Sequence, residues 1–385
     1  MNILNKNINI LICGVCDYSA CKNTTSFETL KRKDYELFKT LKNKFKKIKK
    51  IFFIKESQVT KKNILKKFSQ LLLNQQKNDV FIFYFTGHGI IAKNNEPGLL
   101  MSNSDVISKS ELKNILVENY QKQEIILFGD FCYSGMLADI ARELRTKGIK
   151  INAITSASSN LSTGNWSYTQ TLIDALNGRS IIDKKNNGYI TFFDIAKEVQ
   201  NVMFNRERQK SDYFLNNNLK NTILSKSKIK RIIIKGKIKY DHWYCSSDGI
   251  TRVISKKNDK YEAEYYNFNH YTFKYLKESK FTPIQIADFK IGNRIKVDWE
   301  GKAHRAIVRE VDRIFYKVSY VGWGKEWDEW ITKDRIIGEK NVKILYYDHW
   351  FKGVILQKKN NKYFVRYKEF DSCYDEWVDQ SRIKM

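Results

Sequence analysis

The chain has 385 residues, of which 42% are hydrophobic, and a formal net charge of +27. This length suggests two or three domains, and the apolar fraction excludes wholesale disorder. No apolar run approaches the roughly 18 residues of a membrane span, and the N-terminus lacks the pattern of a secretory signal, so we expect neither. The six cysteines are scattered, which predicts reduced thiols in an intracellular protein, either cytoplasmic or nuclear. The positive charge favours attraction to nucleic acid or acidic proteins, although a Lys- and Asn-rich composition explains it equally well.

In the first 225 residues, short apolar runs alternate with longer amphipathic stretches. The runs that predict strands are 8–15, 49–56, 79–87, 124–130, 151–157 and 221–225. The stretches that predict helices are 27–45, 63–76, 110–121, 134–147, 168–178 and 191–204. Alternation of this kind favours an α/β domain, with a mostly parallel sheet flanked by helices.

The composition changes after residue 225, because only Trp166 of the eight tryptophans lies before that point. Residues 226–237 are rich in Lys and Arg and contain no acidic residue, which indicates a basic linker. The boundary therefore separates a domain at 1–225 from a different C-terminal region.

The C-terminal region contains an internal repeat. Residues 296–336 resemble residues 343–383, and a weaker copy lies at 238–281. Each copy consists of short alternating strands and is too short for more than a small, bent sheet. The sequence therefore predicts three small SH3-like β-barrels, at 238–281, 288–338 and 340–385.

Two predicted strands end in residues that can carry chemistry. VFIFYF runs into Thr86-Gly87-His88-Gly89, and EIILF runs into a glycine-flanked segment that contains Cys132. Functional groups of open α/β sheets gather at the C-terminal ends of strands. A thiol becomes a good nucleophile beside an imidazole, and flanking glycines leave backbone N–H groups free to hold an oxyanion.

YFTGHG and DFCYSG resemble the two catalytic motifs of caspase-type peptidases of clan CD, and most closely those of metacaspases. The resemblance covers about residues 1–225 and implies a caspase-like fold and a cysteine-type endopeptidase of family C14. It implies that Cys132 is the nucleophile and His88 the general acid/base, with the N–H groups of Gly89 and Cys132 as the oxyanion hole. The alternative is a catalytically inactive caspase-fold adaptor whose barrels act as a reader of methyl-lysine or nucleic acid.

The same resemblance implies the substrate pocket. An acid at Asp130, where caspases have a neutral glutamine, suits a basic P1 side chain. Asp34 holds the place of the second pocket acid, although Lys31 and Lys33 depart from the family's motif, and Thr86 matches a pocket serine. We therefore expect a protein or peptide substrate that is cleaved after Arg or Lys.

Many metacaspases need calcium, which several aspartates bind. Asp139 matches one of these ligands, but the segment after the histidine motif lacks the family's run of acids and offers only Glu96 and Asp105. We therefore expect no cofactor, and calcium is the only candidate metal.

The second repeat reads Y-V-G-W-G-K-E-W-D-E-W over residues 320–330 and resembles chromo-barrel or Tudor-knot domains. The resemblance implies an aromatic cage for methyl-lysine. By position, its walls are His304, Tyr320, Trp323 and Trp327 in the second repeat, and Phe351, Tyr367, Phe370 and Tyr374 in the third. In the first repeat Tyr265 and Phe268 remain, but Thr272 replaces an aromatic wall. Possible partners are a methylated histone tail, RNA or DNA, and a purely structural role for the aromatics is the alternative.

Overall fold

The computed structural model describes residues 3–22, 24–28, 32–92, 95–157, 166–227, 236–267, 270–299, 301–338 and 340–384. The chain divides into two compact units. One consists of residues 1–231 with 266–270, and the other of residues 232–265 with 271–385. Most of the predicted basic linker, at 228–235, lies outside the described residues. Within the described residues, none of the helices has the length and hydropathy that crossing a bilayer requires.

The first unit alternates strands with helices. Its strands are β1 (Ile8–Gly14), β2 (Ile48–Lys55), β3 (Val80–Thr86), β4 (Gly89–Ile91), β5 (Pro97–Leu100), β6 (Val106–Ser108), β7 (Glu124–Asp130), β8 (Ile151–Thr155), β9 (Tyr189–Thr191), β10 (Tyr213–Phe214) and β11 (Ile223–Lys226). Its helices are α1 (Asp34–Lys44), α2 (Lys61–Leu73), α3 (Lys109–Glu118), α4 (Gly135–Thr146), α5 (Ser167–Leu176), α6 (Phe192–Arg206) and α7 (Asn217–Lys220).

The main sheet has six strands in the order β10-β8-β7-β3-β1-β2. The five long strands run parallel to their neighbours, and only the short edge strand β10 is antiparallel. Every residue of β1, β3 and β7 is buried, which explains their nearly continuous apolar sequences. The prediction of a mostly parallel sheet flanked by helices is confirmed.

The register of this sheet aligns three strand ends. Gly14 pairs with Thr86, and Thr86 pairs with Asp130. Because paired residues in parallel strands point to the same face, these three positions form one row. Ile82 and Phe128, which share that face, line an apolar cavity with Leu37 of α1 and Leu172 of α5, so those two helices cover the row's face. We refer to Gly14, Thr86 and Asp130 as the strand-end row.

Two parts of the first unit differ from the sequence-based expectation. The first helix begins at Asp34 rather than at residue 27, because Phe27 packs on the His88 ring and its N–H donates to the Cys16 carbonyl. The segment after His88 forms an antiparallel sheet of β4, β5 and β6, which the sequence did not predict. These strands have three or four residues each, too few to show a period.

The second unit consists of short strands. They are β12 (Trp243–Ser246), β13 (Gly249–Lys257), β14 (Lys260–Asn267), β15 (His270–Lys277), β16 (Thr282–Pro283), β17 (Arg294–Trp299), β18 (Lys302–Asp312), β19 (Phe315–Tyr320), β20 (Glu329–Ile331), β21 (Lys340–Tyr346), β22 (His349–Lys359), β23 (Lys362–Tyr367), β24 (Glu376–Asp379) and β25 (Ile383–Lys384).

The described strands of the second unit form three antiparallel sheets, one for each repeat. Their orders are β15-β14-β13-β12-β16, β17-β18-β19-β20 and β24-β23-β22-β21-β25. In the second sheet a bridge between Val297 and Ile336 brings the two ends of the repeat together. Leu356 and Phe364 of the third repeat belong to the hydrophobic core of the second. Three antiparallel modules are therefore present, two of them with a shared core, whereas their closure into three barrels stays a prediction.

Cys245 of the first repeat and Cys373 of the third form a disulfide, with their Cα atoms 5.8 Å apart. The expectation of six reduced thiols is wrong for this pair. The two cysteines are separated by 128 residues, so sequence spacing gives no indication that they meet. Cys13, Cys16, Cys21 and Cys132 are free thiols.

Candidate active site and aromatic clusters

The strand-end row places the two catalytic candidates beside each other. His88 follows Thr86 of the row by two residues, and Cys132 follows Asp130 by two. A Cβ atom on Gly89 would lie 1.8 Å from the Cys132 carbonyl oxygen, so the two segments touch through their backbones. Only glycine fits at position 89, because any side chain would push the histidine segment away from the cysteine segment.

The Cys132 thiol lies among groups that act on it in opposite directions. Burial and the nearby Asp130 carboxyl raise its pKa. The backbone N–H groups of Gly89 and of Cys132 itself are directed towards the sulfur and lower the pKa. The net pKa is raised, so the resting group is a thiol rather than a thiolate. The two N–H groups that the sequence suggested as an oxyanion hole therefore converge on the nucleophile.

His88 is held on several sides. Its Nε2 lies 2.7 Å from the Thr25 carbonyl oxygen, its ring stacks on Phe27 at 4.4 Å, and its backbone N–H donates to the Tyr18 hydroxyl at 2.7 Å. A carbonyl oxygen only accepts, so Nε2 carries the proton and Nδ1 is left as a base. Within the described residues, no hydrogen bond yet joins the His88 ring to the Cys132 thiol.

The turn that carries Cys132 is fixed by its neighbours. Tyr133 has φ of 61°, a left-handed conformation that is uncommon for a bulky residue and typical of functional turns. The Ser134 hydroxyl is buried, donates to the Ala157 carbonyl at 2.9 Å and accepts from the Ala157 N–H at 2.9 Å. The turn between β7 and α4 is thus tied to the chain that leaves β8.

Asp130 is a buried carboxyl whose hydrogen-bond donors are two hydroxyl groups and the Thr169 backbone N–H. It accepts a hydrogen bond from the Thr169 hydroxyl of α5 at 2.6 Å, and the Ser156 hydroxyl also bonds it. Burial raises its pKa to about 6, against the partly opposing effect of these hydroxyls. Within the described part of the chain, no ion pair neutralises this carboxyl.

Asp34 lies at the other end of the strand-end row. A Cβ atom on Gly14 would be 1.9 Å from the Asp34 carboxylate, so Asp34 rests against the end of β1. The carboxylate is fully buried and pairs with the Arg32 guanidinium. Burial and the nearby Asp130 and Asp34 carboxylates raise the pKa of the Tyr84 phenol, and Thr86 forms a hydrogen bond with it. The structure therefore brings the three predicted pocket residues together, but one of the two acids already has a cation.

Asp139 lies on α4, away from the strand-end row, with its side chain 52% exposed. Arg142 pairs with its carboxylate at 2.9 Å, and Lys109 lies 3.9 Å away. Glu96 accepts hydrogen bonds from Ser110. Among the residues described, no group of three or more potential ligand side chains could hold a metal ion.

Comparison with known proteins finds one family that is similar to part of this unit. Residues 20–141 match the family model described as "Metacaspase, peptidase C14 domain". This part of the chain is therefore similar to the metacaspase peptidase domain. No curated protein is significantly similar to the chain.

Two solved structures align with similar lengths of the chain. Protein GSU0716 from Geobacter sulfurreducens aligns over 58% of this chain and all of its own, with 11% identity and a TM-score of 0.39. The Drosophila initiator caspase Dronc aligns over 56% of this chain and 81% of its own, with 15% identity and a TM-score of 0.36.

In the second unit, the predicted aromatic residues of the second repeat lie together and are joined by Trp299. The rings of Trp299, Trp323 and Trp327 are 5.5–5.9 Å apart at mutual angles of 70–83°. His304 and Tyr320 flank Trp323 at 5.0 and 4.9 Å. Trp323 and Trp327 are 36% and 48% exposed, so the cluster opens to solvent. We call these five residues the tryptophan cluster.

The third repeat holds the corresponding rings in a cluster around Phe370. Phe370 lies 4.9–6.1 Å from Phe351, Tyr367, Tyr374 and Tyr346, at angles of 48–62°. The Tyr374 hydroxyl also donates to the Ser246 carbonyl of the first repeat. In the first repeat Thr272 lies exposed on β15, and Phe268 is outside the described residues. The position where the first repeat lacks an aromatic wall therefore lies on a regular strand.

Sequence reasoning missed residues that hold the candidates in place. Tyr18, Thr25, Phe27 and Thr169 contact His88 or Asp130 of the first unit, and no local motif marks them. Trp299 could have been found, because alignment of KVDW with KILY places it opposite Tyr346. The repeat therefore contained a signal that the predicted cage did not use.

Proposed function

We propose that the protein is a cysteine endopeptidase that uses Cys132 and His88 and cleaves after Arg or Lys. The observation that supports it best is the convergence of the Gly89 and Cys132 N–H groups on the thiol. A structural cysteine does not need two backbone donors at its sulfur, whereas acyl transfer needs them for the oxyanion. The match of residues 20–141 to a peptidase family supports the same conclusion.

The geometry suits the following sequence of steps. Nδ1 of His88 takes the thiol proton, since Nε2 is already donating to Thr25. The thiolate attacks the scissile carbonyl carbon, and the two N–H groups hold the resulting oxyanion. His88 then gives its proton to the leaving amine, and water hydrolyses the thioester with His88 as base. The raised pKa of Cys132 means that the nucleophile forms only when the base acts.

The strand-end row gives the substrate pocket its preference. Thr86 and Asp130 lie on the sheet face that α1 and α5 cover, Asp34 of α1 lies against Gly14 of the same row, and each of the first two precedes a catalytic residue by two positions. A cationic P1 side chain suits the Asp130 carboxylate, whose described partners are uncharged donors, because the ion pair is charge-assisted.

Purified protein should cleave short peptides that end in Arg or Lys, and the variants Cys132→Ala and His88→Ala should lose this activity. Removing one member of a catalytic pair costs several orders of magnitude in rate. Cys21→Ser is the matched control, since a hydroxyl can keep the contacts of Cys21 to the Met101 and Ser102 carbonyls. Residual turnover of Cys132→Ala above a tenth of wild type, or a preference for Asp at P1, would contradict the proposal.

We also propose that the tryptophan cluster binds methylated lysine and so directs the peptidase to a methylated protein such as a histone tail. Three perpendicular rings with these spacings form the corner of a box. A cation placed evenly over them would lie roughly 4 Å from each centroid, well inside the ~6 Å reach of a cation–π contact. Lysines near the cluster make salt-sensitive binding of RNA or DNA the competing outcome.

Titration of the full-length Cys132→Ala protein with trimethyl-lysine and unmethylated peptides tests this second proposal. Trp323→Ala should weaken binding of the methylated peptide about three- to thirtyfold. Trp350→Ala, a tryptophan of the third repeat outside both clusters, should not. The third repeat, with Phe370 in contact with four rings, should bind more weakly, and the first should not bind. An oligonucleotide affinity that falls steeply with salt and ignores Trp323 would instead assign the surface to nucleic acid.

A further inference from the structure

Arg32 contacts several acceptors around the end of β1. Its Nε donates to one Asp34 carboxylate oxygen at 2.7 Å, and its two terminal nitrogens reach the other Asp34 oxygen and the Glu56 carboxylate. One of those nitrogens also lies 3.2 Å from the Gly14 carbonyl oxygen. The Arg32 side chain is only 15% exposed, although an arginine before a helix is usually solvated.

This guanidinium lies at the strand-end row. A Cβ atom on Gly14 would be 2.9 Å from an Arg32 nitrogen, and Gly14 is the register partner of Thr86. The guanidinium therefore fills the end of the row that Asp34 contributes to the proposed P1 pocket. The other acid of the row, Asp130, has hydrogen-bond donors but no cation among the described residues.

We propose that Arg32 is an internal occupant of the pocket, which takes the place of a substrate's arginine and competes with it. The inference rests on the proposed peptidase function, since it concerns the P1 pocket of that site. A buried carboxylate without a cation is costly, so Asp34 needs Arg32 in the resting state. A substrate guanidinium can make the same bidentate contacts, so it can replace Arg32 without leaving Asp34 unpaired.

Agmatine, a decarboxylated arginine, is a suitable probe because it carries the side chain of a basic P1 residue. Its binding is measured by calorimetry on full-length Cys132→Ala protein, with and without Arg32→Ala. We expect agmatine to bind at least about tenfold more tightly once Arg32 is removed, because it gains a charge-assisted bidentate partner. It should also raise the melting temperature of the Arg32→Ala protein more than that of the parent.

Lys33→Ala is the matched control. Lys33 carries the same charge one residue later and pairs with Glu36 instead, so its loss should leave agmatine affinity unchanged. The further change Asp34→Asn in the Arg32→Ala background should abolish the gain, since the vacated acid is then neutral. Equal agmatine affinity with and without Arg32, or an equal gain in Lys33→Ala, would overturn the inference.

Arg32→Ala leaves the buried Asp34 carboxylate without a cation, which can prevent folding. Arg32→Gln is the variant to use in that case. Glutamine keeps a donor for Asp34 but removes the competing charge, and the same gain in agmatine affinity is expected. In the active enzyme, either variant should raise kcat/KM for Arg substrates by a similar factor. If no form cleaves peptides but agmatine still distinguishes the variants, the peptidase proposal fails while the pocket inference stands.

Discussion

The titration of Asp130 links the pocket to the stability of the fold. Its folded pKa of about 6 lies above the usual 3.9 of an unfolded aspartate, because burial disfavours the charged form. Between these values the folded chain keeps a proton that the unfolded chain releases. Stability from this residue is therefore greatest at low pH and is lost as the pH rises through 4 to 6.

Asp130→Asn should remove this pH dependence. The unfolding free energy of wild type, relative to the variant, should fall by about 2–3 kcal/mol between pH 4 and pH 7. Denaturant melts at several pH values measure it, and the difference between the two proteins cancels every other titrating group. A difference that does not change with pH would show that the carboxyl is not held protonated.

The same residue predicts a pH effect on activity. Only the ionised carboxylate attracts a cation, so kcat/KM for Arg and Lys substrates should rise through pH 6 as Asp130 loses its proton. Asp130→Asn should flatten that limb and lower kcat/KM for basic substrates by a contact worth about 1.5–3 kcal/mol. A peptide with a neutral P1 residue is the control, because it does not use this charge.

At the scale of elements, the turn between β7 and α4 decides where the nucleophile lies. Ser134 makes two hydrogen bonds with Ala157 there and is fully buried. Ser134→Ala should cost about 1–3 kcal/mol, because the Ala157 N–H loses its partner in a buried place. Thermal unfolding measures the loss, and the proposed peptidase activity of the folded fraction should fall as well, since Cys132 and Tyr133 lie in this turn. Ser69→Ala, at a half-exposed position on α2, provides the control substitution.

The sequence predicted the elements that have a strong period or apolar run. The five long strands and α2 to α6 lie within a few residues of the expected positions, because the strands contain apolar runs and the helices have apolar residues at helical spacing. The sequence-based prediction failed where contacts between residues distant in the chain determine the structure. Phe27, for example, was predicted to be helical but stacks on His88 instead. Arg32 shows the same limit: its charge was readable, but its partner Glu56 comes from the end of β2.

At the scale of the whole chain, the two units use repetition differently. The first unit has one main six-stranded sheet, and the ends of its strands β1, β3 and β7 meet at the proposed site. The second repeats a small sheet three times, and the Tyr–Glu–Arg contact recurs: Tyr320 and Arg335 meet on Glu329, as Tyr367 and Arg382 meet on Glu376. The second and third repeats therefore keep a common frame while their aromatic clusters differ. The predicted difference in methyl-lysine affinity between the second and third repeats rests on the difference between their aromatic clusters.

The disulfide between Cys245 and Cys373 joins the first repeat to the third across 128 residues. Cross-links that close long loops restrict the unfolded chain most, and their removal typically costs about 2–4 kcal/mol. Cys245→Ser should therefore lower the stability of the second unit by about this amount. A reductant should destabilise wild type by the same amount and have no further effect on the variant. Cys21→Ser should leave the response to reductant intact.

Tyr374 follows Cys373 directly and donates to Ser246, so reduction should also loosen one wall of the aromatic cluster in the third repeat. Wild-type melting that is identical with and without reductant would mean that the two thiols are not bonded in solution.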